Sequence, residues 1–245
     1  MNITIYPDAH AMSRAAAQYV VQVASEAIAT HGRFMFALTG GSAAKILYGL
    51  LTEEPYRSQI NWSLVEFFWG DERNVLPNDP ESNYRLAWET MLSKVPVPEK
   101  NIHRMRGEEA DREAASREYE QELRQAFSTN GVPGFDLIHL GMGPEGHVAS
   151  LFPHQPSLKE TQRLVLAVTV PKPPPPRLTL TPPVLNAARR VLFMVTNADK
   201  ADAVHAVIDG THNPDEYPAQ IVRPPQGEIT WMLDEAAASK LQKRS

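Results

Sequence analysis

Phe135-Asp136-Leu137-Ile138-His139-Leu140-Gly141-Met142-Gly143-Pro144-Glu145-Gly146-His147 runs from a compact, mostly apolar hexapeptide straight into a glycine-rich turn. A short apolar run bounded by turn residues reads as a buried strand. Two earlier stretches share the design. Arg33 to Leu38 leads through Thr39-Gly40-Gly41-Ser42 into a helix over Ala43 to Leu51, and Leu64 to Trp69 ends in Gly70-Asp71-Glu72-Arg73. Working outward, Asn2 to Ile5 reads as a first strand. Asp8 then caps a long helix whose Met12, Ala16, Tyr19, Val20, Val23 and Ala27 share one face, and Gly32 ends it. Helices are expected over Tyr84 to Leu92, Glu109 to Phe127 and Ala201 to Ile208. Strands are expected over Leu164 to Val170, Val191 to Thr196 and Ile229 to Leu233, with a short C-terminal helix after the last.

Short apolar strands alternating with amphipathic helices predict an α/β fold with a mostly parallel sheet covered on both faces. There is no internal repeat and no long flexible linker, so one domain is expected over residues 1–245. Pro171-Lys172-Pro173-Pro174-Pro175-Pro176-Arg177 must be extended, because each proline fixes φ near −65°. It reads as a rigid spacer holding Arg177 in place, or as an interaction motif.

Composition narrows the function. The chain is 42% hydrophobic and 22% charged, the balance of an ordinary globular protein. A net charge of −5 without a basic stripe argues against a nucleic-acid surface, although a local pocket can still be positive. Without cysteine, disulfides, thiolate chemistry and Cys-based zinc sites are excluded. Met1 to Ala9 carries Asp8 and no long apolar run, and no stretch approaches a membrane span, so a cytoplasmic protein without membrane contact is expected.

In open parallel sheets, ligands bind beyond the carboxyl ends of the strands. The three strand-ending turns are therefore expected to converge on one edge. Gly40-Gly41-Ser42 at a helix start offers free N–H groups to an anion; the plainer reading is a tight turn with Ser42 as N-cap. A nucleophilic Ser42 would require the α/β-hydrolase order, for which this turn comes too early. Gly141, Gly143 and Gly146 form a literal Gly-x-Gly-x-x-Gly, but Pro153 leaves no room for the crossover helix of a dinucleotide site. His147 lies just beyond a strand, where a neutral imidazole can take a proton from water; a residue capping the next short helix is the plainer alternative. His139, His10, His31, His205 and His212 read as ordinary histidines. No His-x-x-x-His or His-Glu-x-x-His pair suggests zinc. Asp71, Glu72 and Arg73 are either a solvated turn or a means of fixing Arg73 as a cation in a pocket. Arg177 and Lys200 are further candidate cations.

Leu38 to Ser42, Phe67 to Arg73, Asp79 to Asn83, Gly141 to Pro153, Thr169 to Leu180, Pro182 to Asn186 and Tyr217 to Pro224 together resemble the 6-phosphogluconolactonases. The resemblance implies a three-layer α/β/α, modified Rossmann-like fold related to the glucosamine-6-phosphate deaminases and ribose-5-phosphate isomerases. It also implies hydrolysis of 6-phosphoglucono-1,5-lactone without metal or cofactor. The implied base is His147. Substrate contacts would fall on Gly40, Gly41, Ser42, Asp71, Arg73, Gly143, Glu145, Gly146, Arg177 and Lys200, with Arg73 also assisting catalysis. The expected partner is the small sugar-phosphate lactone alone, with the chain a monomer. Glu145 stands where the family usually has Asp. The related deaminases carry a Glu just before the proline of this block, and here that place holds Phe152, which cannot transfer a proton. Hydrolysis is therefore expected over isomerisation, with a non-catalytic sugar-phosphate sensor as the alternative.

Overall fold

The computed structural model describes residues 1–174 and 176–242; Pro175 of the proline run lies outside them. The chain begins with β1 (Asn2–Tyr6) and α1 (Ala9–His31). The Asp8 carboxylate accepts the Ala11 N–H at 2.7 Å to start α1, and Gly32 ends it at φ +81°, a left-handed conformation that suits glycine. Next come β2 (Phe34–Leu38), α2 (Ser42–Leu51), the single turn α3 (Tyr56–Gln59), β3 (Val65–Trp69), β4 (Asp71–Arg73) and α4 (Asn83–Thr90). The second half comprises α5 (Arg112–Phe127), β5 (Leu137–Leu140), β6 (Val165–Val168), β7 (Arg177–Leu180), α6 (Pro182–Asn186), β8 (Arg190–Val195), α7 (Ala201–Ile208) and β9 (Glu228–Asp234).

Six strands form one parallel sheet in the order β1-β9-β8-β5-β2-β3, flanked by helices. All five residues of β2 are buried, as a strand covered on both faces requires. Phe34, Phe36, Phe67, Phe68, Trp69, Phe135 and Phe193 are almost completely enclosed. Full burial of one such ring contributes about 2–3 kcal/mol of transfer free energy. Phe193 stacks on Trp231 with centroids 3.9 Å apart, joining β8 to β9. Among the described residues no helix is long and apolar enough to cross a membrane.

A second sheet, β4-β7-β6, is antiparallel and departs from the expected single sheet. Gly70 is the junction. Its N–H donates to Leu38 O at 2.8 Å in the large sheet, while its carbonyl accepts from Leu180 N at 2.8 Å in the small one. Asp71 to Arg73 is therefore a strand and not a solvated turn. Leu164 to Val170 supplies β6 of the small sheet, and Arg177 opens β7 directly behind the prolines.

The expected short C-terminal helix is absent among the described residues, where 235–240 form turns. Beyond His147 the chain folds back in a Val148–Leu151 bridge, so His147 caps no helix. The helix α2 has Gly41, not Ser42, as its N-cap residue.

Candidate active site

At the carboxyl ends of β2, β3 and β5 the three turns meet around a cavity of about 260 Å³. Each wall follows from local chemistry. Gly41 adopts φ +103°, which lets β2 turn directly into α2. The first intrahelical bond runs from Lys45 N to Gly41 O, leaving the N–H groups of Ser42, Ala43 and Ala44 without helix partners at the cavity edge. Gly40 is needed for a different reason. A Cβ there would lie 2.0 Å from Asn83 Oδ1.

Asn83 ties the first turn to the second. Its Nδ2 donates to the Asp71 carbonyl at 2.9 Å and to Asp71 Oδ1 at 3.0 Å, while Ser150 Oγ donates to Asp71 Oδ2 at 2.6 Å. Asp71 is thus fixed by residues 12 and 79 positions away, and it is only 4% exposed. Glu72 points the other way. Burial pushes its carboxyl up, yet it accepts the Asn83 and Tyr84 N–H groups at 2.8 Å and the Ser82 hydroxyl at 3.0 Å, anchoring the start of α4. Arg73 returns to the cavity, with Nη1 donating to Glu81 O at 2.7 Å and Nε buried without a hydrogen-bond partner among the described residues.

The third turn holds His147 against Phe152, with ring centroids 4.1 Å apart and planes 12° from parallel. Gly143 makes this position possible, because a Cβ there would lie 2.0 Å from His147 Nδ1. Nδ1 is buried, stands 3.1 Å from Glu145 Oε1 and has no hydrogen-bond partner among the described residues. The neighbouring imidazole holds the Glu145 carboxyl down to about 2 against the opposing effect of burial, so it is ionised at neutral pH. A carboxylate beside Nδ1 favours the Nδ1–H tautomer and leaves the lone pair on Nε2. The Gly143 and Gly146 N–H groups are spent within the turn, on His147 O and Gly143 O at 3.0 Å each.

Arg177 sits 3% exposed at the back of the cavity. The proline run is its hydrogen-bonding cage: Nε donates to Pro174 O at 3.0 Å, and Nη2 to Pro173 O at 3.2 Å and Lys172 O at 3.3 Å. Nη1 lies 3.9 Å from Asp71 Oδ2. Burial lowers the guanidinium pKa from its ordinary value, with the Asp71 carboxylate opposing that shift. Lys200, paired with Asp199, closes the opposite side.

Gly40, Gly41, Ser42, Asp71, Arg73, Gly143, His147, Arg177 and Lys200 all line the cavity. Glu145 and Gly146 do not. Glu145 lies behind His147, and Gly146, at φ +78°, packs against Tyr217. Three contributors escaped sequence reading. Lys172 adds a fourth cation, and its only signal was a charge inside the proline run. Asn83 and Ser150 lie within the family-like blocks, but only the fold shows what they hold. Four cations thus line one cavity together with Asp71 in a chain of net charge −5, which suits a small polyanion. Among the described residues no cluster of three or more His, Asp or Glu side chains is disposed to hold a metal ion.

A parallel sheet with helix-start and cationic walls around His147 defines a phosphosugar-type site on an α/β scaffold. Residues 7–231 match the family model of glucosamine-6-phosphate isomerases/6-phosphogluconolactonase. A probable 6-phosphogluconolactonase 2 of Oryza sativa subsp. indica is 40% identical over 252 residues, covering 98% of this chain and 89% of that protein. Among solved structures, the devB protein is 36% identical with a TM-score of 0.88, covering 98% of this chain and 99% of its own. A monomeric glucosamine-6-phosphate deaminase shares the fold alone, with a TM-score of 0.83 at 20% identity over 98% of this chain and 100% of its own. The chain belongs to the glucosamine-6-phosphate isomerase/6-phosphogluconolactonase family and is an enzyme of its lactonase branch.

Proposed function

We propose that this chain hydrolyses 6-phospho-D-glucono-1,5-lactone to 6-phospho-D-gluconate in the oxidative pentose phosphate pathway, with His147 as general base. The carrying observation is the placement of His147 across one cavity from a helix start and four cations. The phosphate sits on the free N–H groups at the start of α2, with Lys200 beside it. His147 Nε2 takes a proton from a water as its oxygen bonds to the lactone carbonyl carbon. Arg73 faces the oxyanion that forms; such a donor contributes ~3 kcal/mol in comparable acyl chemistry. When the ring C–O bond breaks, His147 returns its proton to the leaving ring oxygen, giving the open hydroxy acid.

Phe152 supports hydrolysis over isomerisation, because it fills the ring-opening carboxylate's place with an apolar surface for the imidazole. This reading takes the chain as one domain over residues 1–245 acting as a monomer, with no step given to a metal or cofactor; both sheets contributing to one cavity supports it. The enzyme works in the cytoplasm.

The test compares opening of freshly generated lactone with and without protein, beside glucosamine 6-phosphate deamination. The expected result is strong acceleration over spontaneous opening and no deamination. Binding of 6-phosphogluconate without acceleration would identify a sugar-phosphate sensor instead.

A further inference from the structure

The cavity wall at the end of β8 carries a side chain that the mechanism leaves without a task. Thr196, Asn197 and Lys200 follow that strand and line the cavity. Asn197 is exposed there, at φ +78° and ψ 148°. Sterics reserve that combination largely for glycine, and holding any other residue in it is destabilising.

The surroundings enforce this conformation. Both oxygens of the Asp234 carboxylate, buried at the end of β9, accept the Asn197 N–H, at 3.1 and 3.0 Å. That carboxylate is fixed in turn by the Ala237 N–H at 2.7 Å. The Asn197 carbonyl accepts the Lys200 N–H at 3.2 Å. These bonds use only the backbone of residue 197, so glycine would make them all without strain. What asparagine adds is its side-chain amide. Nδ2 donates one proton to Thr196 Oγ1 at 3.2 Å, which leaves its second N–H and Oδ1 without a partner among the described residues. Lys200 stands on the same turn, and α2, with its free N–H groups at the cavity edge, packs against β8. An amide N–H on this wall, beside a lysine and a helix start, suits an anionic oxygen.

We propose that Asn197 donates its second Nδ2–H to the phosphate of the substrate beside Lys200, and that asparagine stands in a glycine conformation for the sake of this contact. The inference rests on the reading of this cavity as a sugar-phosphate lactone site. Strain kept at a ligand site, where a strain-free residue would serve the fold as well, sets the residue's role in binding against its role in stability.

The experiment measures KM for the phosphorylated lactone, the inhibition constant of inorganic phosphate and the melting temperature, in wild type, Asn197→Gly and Asn197→Asp. Asn197→Gly is expected to raise KM and the phosphate inhibition constant together by about tenfold, the size of one hydrogen bond to a charged group. It melts no lower than wild type, because the strain leaves with the side chain. Asn197→Asp keeps the shape but sets a carboxylate against the phosphate, so both constants rise further. In both variants kcat changes little, because the phosphate contact is the same before and during bond breaking. Unchanged constants in either variant, or a rise in Asn197→Gly matched by a lowered melting temperature, would overturn the inference and leave the lactonase reading intact. A raised KM with an unmoved phosphate constant would place the amide on the sugar and overturn it as well. Failure of wild type to open the lactone would overturn that reading and the inference with it.

Discussion

Gly143 carries more of the proposed chemistry than its lack of a side chain suggests. Any Cβ there enters the volume of the His147 ring, so Gly143→Ala must displace the imidazole. A shift on the order of 1 Å in a reacting group costs about 10²-fold in rate. Gly143→Ala is expected to lower kcat by roughly that factor with the fold retained, as steady-state kinetics beside circular dichroism would show; unchanged kcat would mean that the ring position is not critical. In the proposed reading Lys200 acts in binding rather than in the bond-breaking step. Lys200→Gln should raise KM about tenfold with kcat nearly unchanged, and a loss confined to kcat would give Lys200 another role. The meeting of His147, Arg73 and the Gly40 to Ser42 turn in one cavity was legible because each follows the end of an apolar strand. The roles of Asn83 and Ser150 were not, because Ser and Asn beside a helix start or in a turn are ordinary caps. Their meaning arises only when folding brings them to Asp71.

Helix α5 is fastened to β3 by two devices, and each makes a prediction. The Tyr119 hydroxyl accepts the Trp69 N–H at 3.1 Å and donates to His103 O at 3.0 Å. Tyr119→Phe leaves both backbone groups unpaired in a buried place and should destabilise by about 1–3 kcal/mol in urea denaturation. His103 stacks on Phe68 between Glu66 and Glu122, at 2.8 and 2.9 Å. Burial alone would lower its pKa, but the two carboxylates prevail and hold it up at about 9, above its ordinary 6.5. A raised folded-state pKa stabilises fully below pH 6.5, and that contribution is lost as pH rises towards 9. The loss amounts to at most about 3 kcal/mol. The urea midpoint of wild type should fall over that window, and His103→Gln should flatten the fall; an identical pH dependence in the variant would remove His103 from the account.

At the same scale, the long strands and helices were readable from their periodicity, but the second sheet was not. Its first strand is Asp71-Glu72-Arg73, three charged residues with no apolar alternation, and it exists because Gly70 bonds to both sheets. Its middle strand follows prolines that signal extension but not pairing.

Over the whole molecule, an acidic protein presents a cationic cavity to an anionic substrate. Screening should weaken this attraction, so kcat/KM is expected to fall several-fold between low salt and about 0.5 M while kcat changes little. Salt-independent kcat/KM would show that the cations act only at contact. The parallel sheet brings three turns to one edge, the antiparallel sheet adds Asp71, Arg73 and Arg177, and the proline run cages Arg177. The general character of the site followed from strand order, whereas the cage required carbonyl positions that no residue pattern reveals. The most direct test of the central claim is the kcat of His147→Ala on fresh lactone, corrected for spontaneous opening. The account predicts a fall of roughly 10²–10⁴ with KM little changed; a variant that opens the lactone at the wild-type rate would contradict it.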